Sequence, residues 1–242
     1  MTAKTQRNPT ARTTLAVVAV LCTLASAAHA LPAAGLRARA EQAFAALHRE
    51  SPRADATWDA DKPGAALVTG LSTPTIAGTP RQRAEAFLQA HADLLAVAAT
   101  ELRYVDQKQT RNRTVARFTQ LCPIGLGGLP VYNRFVTVAM DNDGRVLTIS
   151  SDVLPVTPFQ RGTLTEAQAR DAAVRAVFGT RPQDKTPVAQ VSQAHETVLA
   201  TAGKSAHAFV VEVVRTPLQD VRLVLVDARD GHLLEQHNTV LH

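Results

Sequence analysis

The chain has 242 residues, of which 45% are hydrophobic, 4% aromatic and 19% charged, with a formal net charge of +5 and two cysteines. Three of the 26 basic residues and none of the 21 acidic ones lie in the first thirty positions, leaving 23 against 21 beyond them. A balance that even, with no Lys/Arg run interleaved with aromatics, lacks the clustered surplus charge that phosphate backbones require, so no nucleic-acid partner is expected.

Residues 1–30 carry the pattern of a secretory signal. Lys4, Arg7 and Arg12 form a positive start, Leu15 to Leu24 an apolar run, and Ala28-His29-Ala30 a small-x-small cleavage site. The run is too short to anchor in a bilayer, and Leu21 before Cys22 does not fit a lipoprotein signal. The expectation is export, cleavage near Ala30, no lipid and no stable membrane anchor. Cys22 leaves with the signal, so Cys122 has no internal disulfide partner and stability must come from a core, for which the remaining 212 residues suffice. Cys122 itself is read as a half-buried thiol at a strand end, the alternative being a thiolate that reaches a partner's metal.

Residues 31–78 predict a helix and an extended lead-in. Leu36, Ala40, Ala43, Phe44 and Leu47 make one helical face, and Trp58 to Leu71 is extended, broken at Pro63-Gly64 and Gly70. The stretch Leu71 to Thr79, rich in Thr, Pro and Gly, joins the lead-in to the first unit.

Residues 79–154 predict a helix followed by strands. Thr79-Pro80-Arg81-Gln82 is a capping box with Pro at the first helical position, and Ala84, Phe87, Leu88, His91 and Leu95 form the apolar stripe. From Val115 to Ser150 the pattern is strand, Gly-Pro turn, strand, Asp-Gly hairpin, strand. Val136, Val138 and Met140 share one face before the hairpin, and Leu147 and Ile149 share one after it. Gly144 supplies the positive φ of the turn.

Residues 155–163, containing Pro155 and Pro158, read as a linker, and residues 164–242 repeat the plan. Thr165-Glu166-Ala167-Gln168 is a second capping box with Leu164 as a staple; Ala169, Ala172, Ala173, Ala176 and Val177 make the stripe, and Gly179 stands at the left-handed C-cap. Strands over Phe209 to Val214 and Val221 to Asp227 then lead through Asp230-Gly231 to Leu233 and Leu234. Sixty-five residues separate Thr79 from Gly144 and sixty-six separate Thr165 from Gly231. The fold class expected is α+β, two successive units, each a helix packed on an antiparallel sheet.

Reactive constellations are missing from this pattern. His195-Glu196-Thr197-Val198-Leu199 is the nearest approach to a zinc-protease motif, but Leu199 stands where the second histidine ligand belongs. His48, His91, His207, His232, His237 and His242 are scattered without ligand spacing. Gly125, Gly127 and Gly128 precede a strand rather than the helix a phosphate loop needs, and Asp141-Asn142-Asp143-Gly144 lacks the ligand ladder of a calcium loop. There is no G-x-S-x-G elbow. No catalytic residue, metal ligand or cofactor is assigned.

Three stretches carry a resemblance. ARFTQ followed by GLPVYNRFVTVAMDNDGRV resembles the fungalysin/thermolysin propeptide (FTP) pattern, with Gln120, Gly128, Pro130, Val131 and Gly144 at matching positions. LTEAQARDAAVRAV followed by VRLVLVDARDGHLLEQ is similar to the PepSY pattern, matched at Asp227, Ala228 and Gly231. Trp58-Asp59, Gly64, Gly70 and AEAFLQAHADLL resemble the family's lead-in, so the likeness spans most of residues 55–240 in order. It implies an FTP-like unit followed by a PepSY-like unit, structural roles for the matched residues, and a thermolysin-like or fungalysin-like zinc metalloprotease as partner. In such precursors a peptidase domain follows the propeptide, and no residue of one lies in these 242. The function expected is therefore that of an exported non-catalytic folding chaperone or inhibitor, or both, of a zinc metalloprotease. The alternatives are the amino-terminal piece of a protease precursor and a free-standing envelope binding module.

Overall fold

The computed structural model describes residues 33–123, 127–179, 190–215 and 220–239. The expected signal segment, Gly125 and His242 lie outside the described residues. The fold is α+β: helices pack on a largely antiparallel sheet that, among the described residues, is continuous through eleven strands.

Helix α1 (Ala33–Glu50) buries Ala40 and Leu47 and leads to the hairpin β1 (Asp55–Trp58) and β2 (Ala65–Thr69). Arg37 fastens the helix to the hairpin turn: its guanidinium lies 4.4 Å over the Trp58 ring and donates to the carbonyls of Asp59 and Lys62, both at 3.2 Å. Helix α2 (Pro80–Ala90) begins with the full capping box, the Thr79 side chain accepting from the Gln82 N–H while the Gln82 side chain accepts from the Thr79 N–H. Its apolar stripe does not run on unbroken to Leu95. The helix ends at His91, and a separate turn, α3 (Ala92–Leu95), buries Leu94 and Leu95 before Ala96 takes a left-handed conformation.

Strands β3 (Leu102–Gln109), β4 (Thr114–Leu121), β5 (Pro130–Met140) and β6 (Val146–Ser151) form a meander, and β2 adds to it by pairing with β6. Thus α1, β1 and β2 share one core with α2, built on Leu47, Val68, Phe87, Leu88, Phe118, Val136, Val138 and Met140. The β5–β6 hairpin closes with the Gly144 N–H on the Asp141 carbonyl at 3.1 Å, and Gly144 has φ +83°, a conformation that penalises any side chain. A register shift at Met140 changes the expected inward set on β6: Met140 pairs with Val146, so Val146 and Ile149 enter the core and Leu147 stays half-buried.

The second unit repeats the plan. Helix α4 (Glu166–Phe178) starts with the capping box of Thr165 and Gln168 and buries Ala169, Ala172 and Ala173. The C-cap is not left-handed helical as expected; Gly179 has φ +79° but an extended ψ of −176°. A two-residue strand β7 (Gln190–Val191) continues the line of β8 (His195–Thr201) along β9 (Lys204–Arg215), and β10 (Asp220–Asp227) and β11 (Leu233–Thr239) complete the meander. The alanines of α4 pack on Phe209, Val211, Val213, Val224 and Val226. Each unit therefore lays a capped helix on a four-stranded antiparallel meander, to which the first unit adds α1, α3 and the β1–β2 hairpin.

The cap at Thr165 is a local contribution that can be measured. Replacing Thr165 with Ala removes the acceptor for the Gln168 N–H, and the urea midpoint is expected to fall by the equivalent of about 1 kcal/mol, with Thr165→Gly costing only a few tenths.

Candidate functional site

The sequence-selected residues gather at two places along residues 152–164, the segment that joins the units. The first is the end of β4. Gln120 is fully buried, and its side-chain amide satisfies both backbone groups of Leu154: Nε2 donates to the Leu154 carbonyl at 2.6 Å, and Oε1 accepts from the Leu154 N–H at 3.1 Å. Nearby, burial raises the Glu101 carboxyl above its usual range, and the donors of Ala98 and Gln120 oppose part of that rise. Two residues on, Cys122 is only 1% exposed, packed with Val131, Leu154, Val198 and Ala200. It is thus fully buried rather than half-buried, because the 154–159 segment closes over the strand end, and its Sγ receives the Leu129 N–H at 3.2 Å. A thiol so enclosed does not reach a partner's metal.

Gly128 follows with φ +63°, and Pro130 and Val131 then open β5. Here β5 serves both units. Val131 pairs in parallel with Val198 of β8, and the Thr197 hydroxyl donates to the Pro130 carbonyl at 2.9 Å. Asn133, at φ +52°, bends the strand; asparagine is among the few side chains that take this conformation readily. Beyond the bend Arg134 reaches back, donating to the Ala200 carbonyl at 2.9 Å and the Asp152 carbonyl at 3.3 Å, and pairing with the Asp152 carboxylate at 3.2 Å. Lys62 binds the same carboxylate; burial works to lower its pKa, but hydrogen bonds and charge from Asp152 and Asp59 outweigh it and hold Lys62 above the usual lysine value.

The second place is the β10–β11 turn, where Asp227, Ala228 and Gly231 meet the far end of the same segment. The Asp227 carbonyl accepts from the Gly231 N–H at 2.9 Å, and its carboxylate accepts from the Arg229 backbone N–H and guanidinium, both at 2.8 Å. Those bonds hold the Asp227 carboxyl below the usual carboxylate range despite burial. The Ala228 carbonyl accepts from the Leu164 N–H at 2.9 Å, and the Ala228 N–H donates to the His207 carbonyl at 3.0 Å. Gly162 lies so close to Ala228 that a Cβ would come within 2.1 Å of its carbonyl, which only glycine permits. The Gly162 N–H donates to His207 Nδ1 at 3.0 Å.

Gly144 stands apart, at the opposite end of β5. The Arg83 guanidinium of α2 packs on it, beside a cleft of about 90 Å³ lined by Pro80, Gln109, Thr114 and Asp141. Sequence reading missed Arg134, Thr197, Gly162 and His207. Arg134 and Thr197 lie within stretches the sequence singles out, but no motif position marks any of the four, and only contacts between residues distant in the chain reveal them. The zincin-like segment from His195 is strand β8, whose inward residues are Val198 and Ala200. Among the described residues no group of three or more His, Cys, Asp or Glu is placed to hold a metal ion, and no helix is long and apolar enough to cross a membrane.

Two substitutions probe these ties. Gln120→Met, similar in volume, leaves the Leu154 N–H and carbonyl buried without partners and is expected to lower stability by about 2–4 kcal/mol in urea unfolding. For Asp227, a carboxyl whose pKa is lowered on folding contributes stability that is present above its ordinary value of 3.8 and is lost as pH falls through the lowered folded value. Asp227→Asn is expected to reduce stability at pH 7 by about 1 kcal/mol and to flatten the acid limb of the stability profile below pH ~4.

No protein-family model and no curated protein matches the chain. Among solved structures it is similar to the Bacillus megaterium YpeB C-terminal domain, at 12% identity and a TM-score of 0.38, over 84% of this chain and 96% of that one. A TM-score of that size does not establish a common fold.

Proposed function

We propose that this chain is an exported, non-catalytic partner of a thermolysin-like or fungalysin-like zinc metalloprotease, acting as its folding chaperone and inhibitor. The observation that carries the reading is what the described motif residues do. Gln120 and Asp227 hold backbone groups, Gly144, Gly128 and Gly231 make turns or take positive φ, and Pro130, Val131 and Ala228 join strands to their neighbours. All of them shape a scaffold, as the resemblance to FTP and PepSY propeptide units implies, and the partner class comes from that resemblance.

A scaffold can both assist and inhibit if one surface complements the native protease. Binding that surface stabilises the transition state and the folded enzyme over unfolded chain, and the same contact obstructs the enzyme once it has folded. Among the described residues β1, β3 and β11 each pair on one side only, so each offers main-chain donors and acceptors to an incoming strand. Of these β3 is the most open, with Val105 42% exposed.

The test is a titration of the purified chain, from residue 31 onward, against a thermolysin-like protease. Saturable loss of peptidase activity and a raised yield of active enzyme on refolding are expected. No effect on either measurement would sink the proposal.

A further inference from the structure

His207 is 2% exposed, and its two ring nitrogens face different neighbours. Nδ1 accepts the Gly162 N–H at 3.0 Å, so the buried ring is neutral with its proton on Nε2. Nε2 has no hydrogen-bond partner among the described residues; its nearest carboxylate oxygen is Glu196 Oε2, at 4.0 Å. That oxygen is engaged by Arg161 of the joining segment at 3.2 Å. The charged and titratable groups facing the ring are thus Glu196 from β8, Arg161 from the joining segment and Asp227 from β10, the last held by Arg229. On β9 itself the neighbour is the Phe209 ring, at 5.8 Å.

We infer that residues 155–163 form a strap that neutral His207 latches onto the second unit and that protonation of the imidazole unlatches. A proton on Nδ1 removes the acceptor for Gly162 and sets two N–H groups against each other. The positive ring also competes, through its Nε2–H, for the Glu196 carboxylate that holds Arg161. Two ties of the strap to the sheet weaken together, because both depend on one imidazole. The strap stays fastened by Gln120 to Leu154, by the Thr157 N–H to Ser205 Oγ at 3.1 Å and by the Leu164 N–H to the Ala228 carbonyl, so it loosens around Gly162 without separating the units.

The direction with pH is set by burial. Burial lowers the His207 pKa from its ordinary 6.5; Glu196 and Asp227 pull it up, and Arg161 pushes it down. A histidine with a lowered folded pKa contributes stability that is complete above 6.5 and is lost as pH falls from there through the folded value. His91, at the end of α2, is also lowered by burial, which is why the readout has to be local to the strap.

Hydrogen exchange with mass spectrometry, corrected for the intrinsic pH dependence of exchange, supplies that readout. Between pH 7.5 and pH 5 the Gly162 amide is expected to lose about tenfold or more in protection, read as faster exchange within the 155–164 peptide, while peptides of β9 and β10 keep theirs. Glu196→Gln and Arg161→Gln alter exposed side chains and should leave folding intact. Glu196→Gln is expected to move the midpoint to lower pH and Arg161→Gln to higher pH. His207→Asn, which can place an acceptor at the Nδ1 position and takes up no proton in this range, should hold the strap at every pH. Protection over 155–164 that ignores pH in the wild type, or a midpoint that both surface variants leave in place or move in one direction, overturns the inference.

Discussion

The architecture depends on how the chain leaves the first unit. At Leu154 it turns away from β6 and carries a backbone N–H and carbonyl into the interior with no neighbouring strand to receive them. A buried amide left in that state costs on the order of 1–3 kcal/mol per group. The side chain of Gln120 satisfies both at once, because a carboxamide presents a donor and an acceptor side by side as a peptide unit does. Once Leu154 is pinned, residues 155–159 lie over Cys122, Val131 and Val198, and the strand end becomes a small apolar core between the units.

That small core explains why the sheet can be continuous. A single parallel bridge between Val131 and Val198 is weak by itself, since one ladder rung leaves little backbone paired. It persists because Thr197 donates to the Pro130 carbonyl and Arg134 donates to the Ala200 carbonyl on either side of the rung. The bend at Asn133 lets the same strand pair with β8 before it and with β6 after it, while β4 follows it on both sides of the bend. The largely buried Arg134 is paired with Asp152, which Lys62 of the lead-in also binds, so the β1–β2 hairpin and the first meander meet at one carboxylate while Arg134 ties the same point to the second meander through the Ala200 carbonyl.

The two units share an order of elements rather than a set of side chains. Each begins at a capping box, lays an apolar helix stripe on a meander and turns through an Asp-x-x-Gly or Asp-x-x-x-Gly loop at its last hairpin. Their cores differ in texture. The first is filled by Leu and Phe of its helices against Phe, Val and Met of its strands, whereas the second brings alanines of α4 close to a sheet of Val and Phe. Small residues on the helix allow that close approach, and the Gly231 turn tucks under Ala172.

Much of this is local and therefore readable along the chain. Both capping boxes, the Gly144 and Gly231 turns, the alternation through Val136, Val138 and Met140, and the stripe of α4 depend on residues within a turn or a strand of one another, and the residues alone determine them. Strand β3 escaped because it is an edge whose exposed positions carry Arg103, Asp106 and Lys108, which blur the period-2 signal. Strand β8 escaped because it opens with the exposed, charged or polar pair His195 and Glu196. What only the tertiary structure decided lies in a register shift that puts Val146 in the core instead of Leu147, and in contacts across tens of residues: a fully buried Cys122, Gln120 holding Leu154, and His207 holding Gly162. These need partners that sequence spacing does not bring together. Burial makes each partner obligatory, because a polar group cut off from water must find its hydrogen bond wherever the fold has placed one.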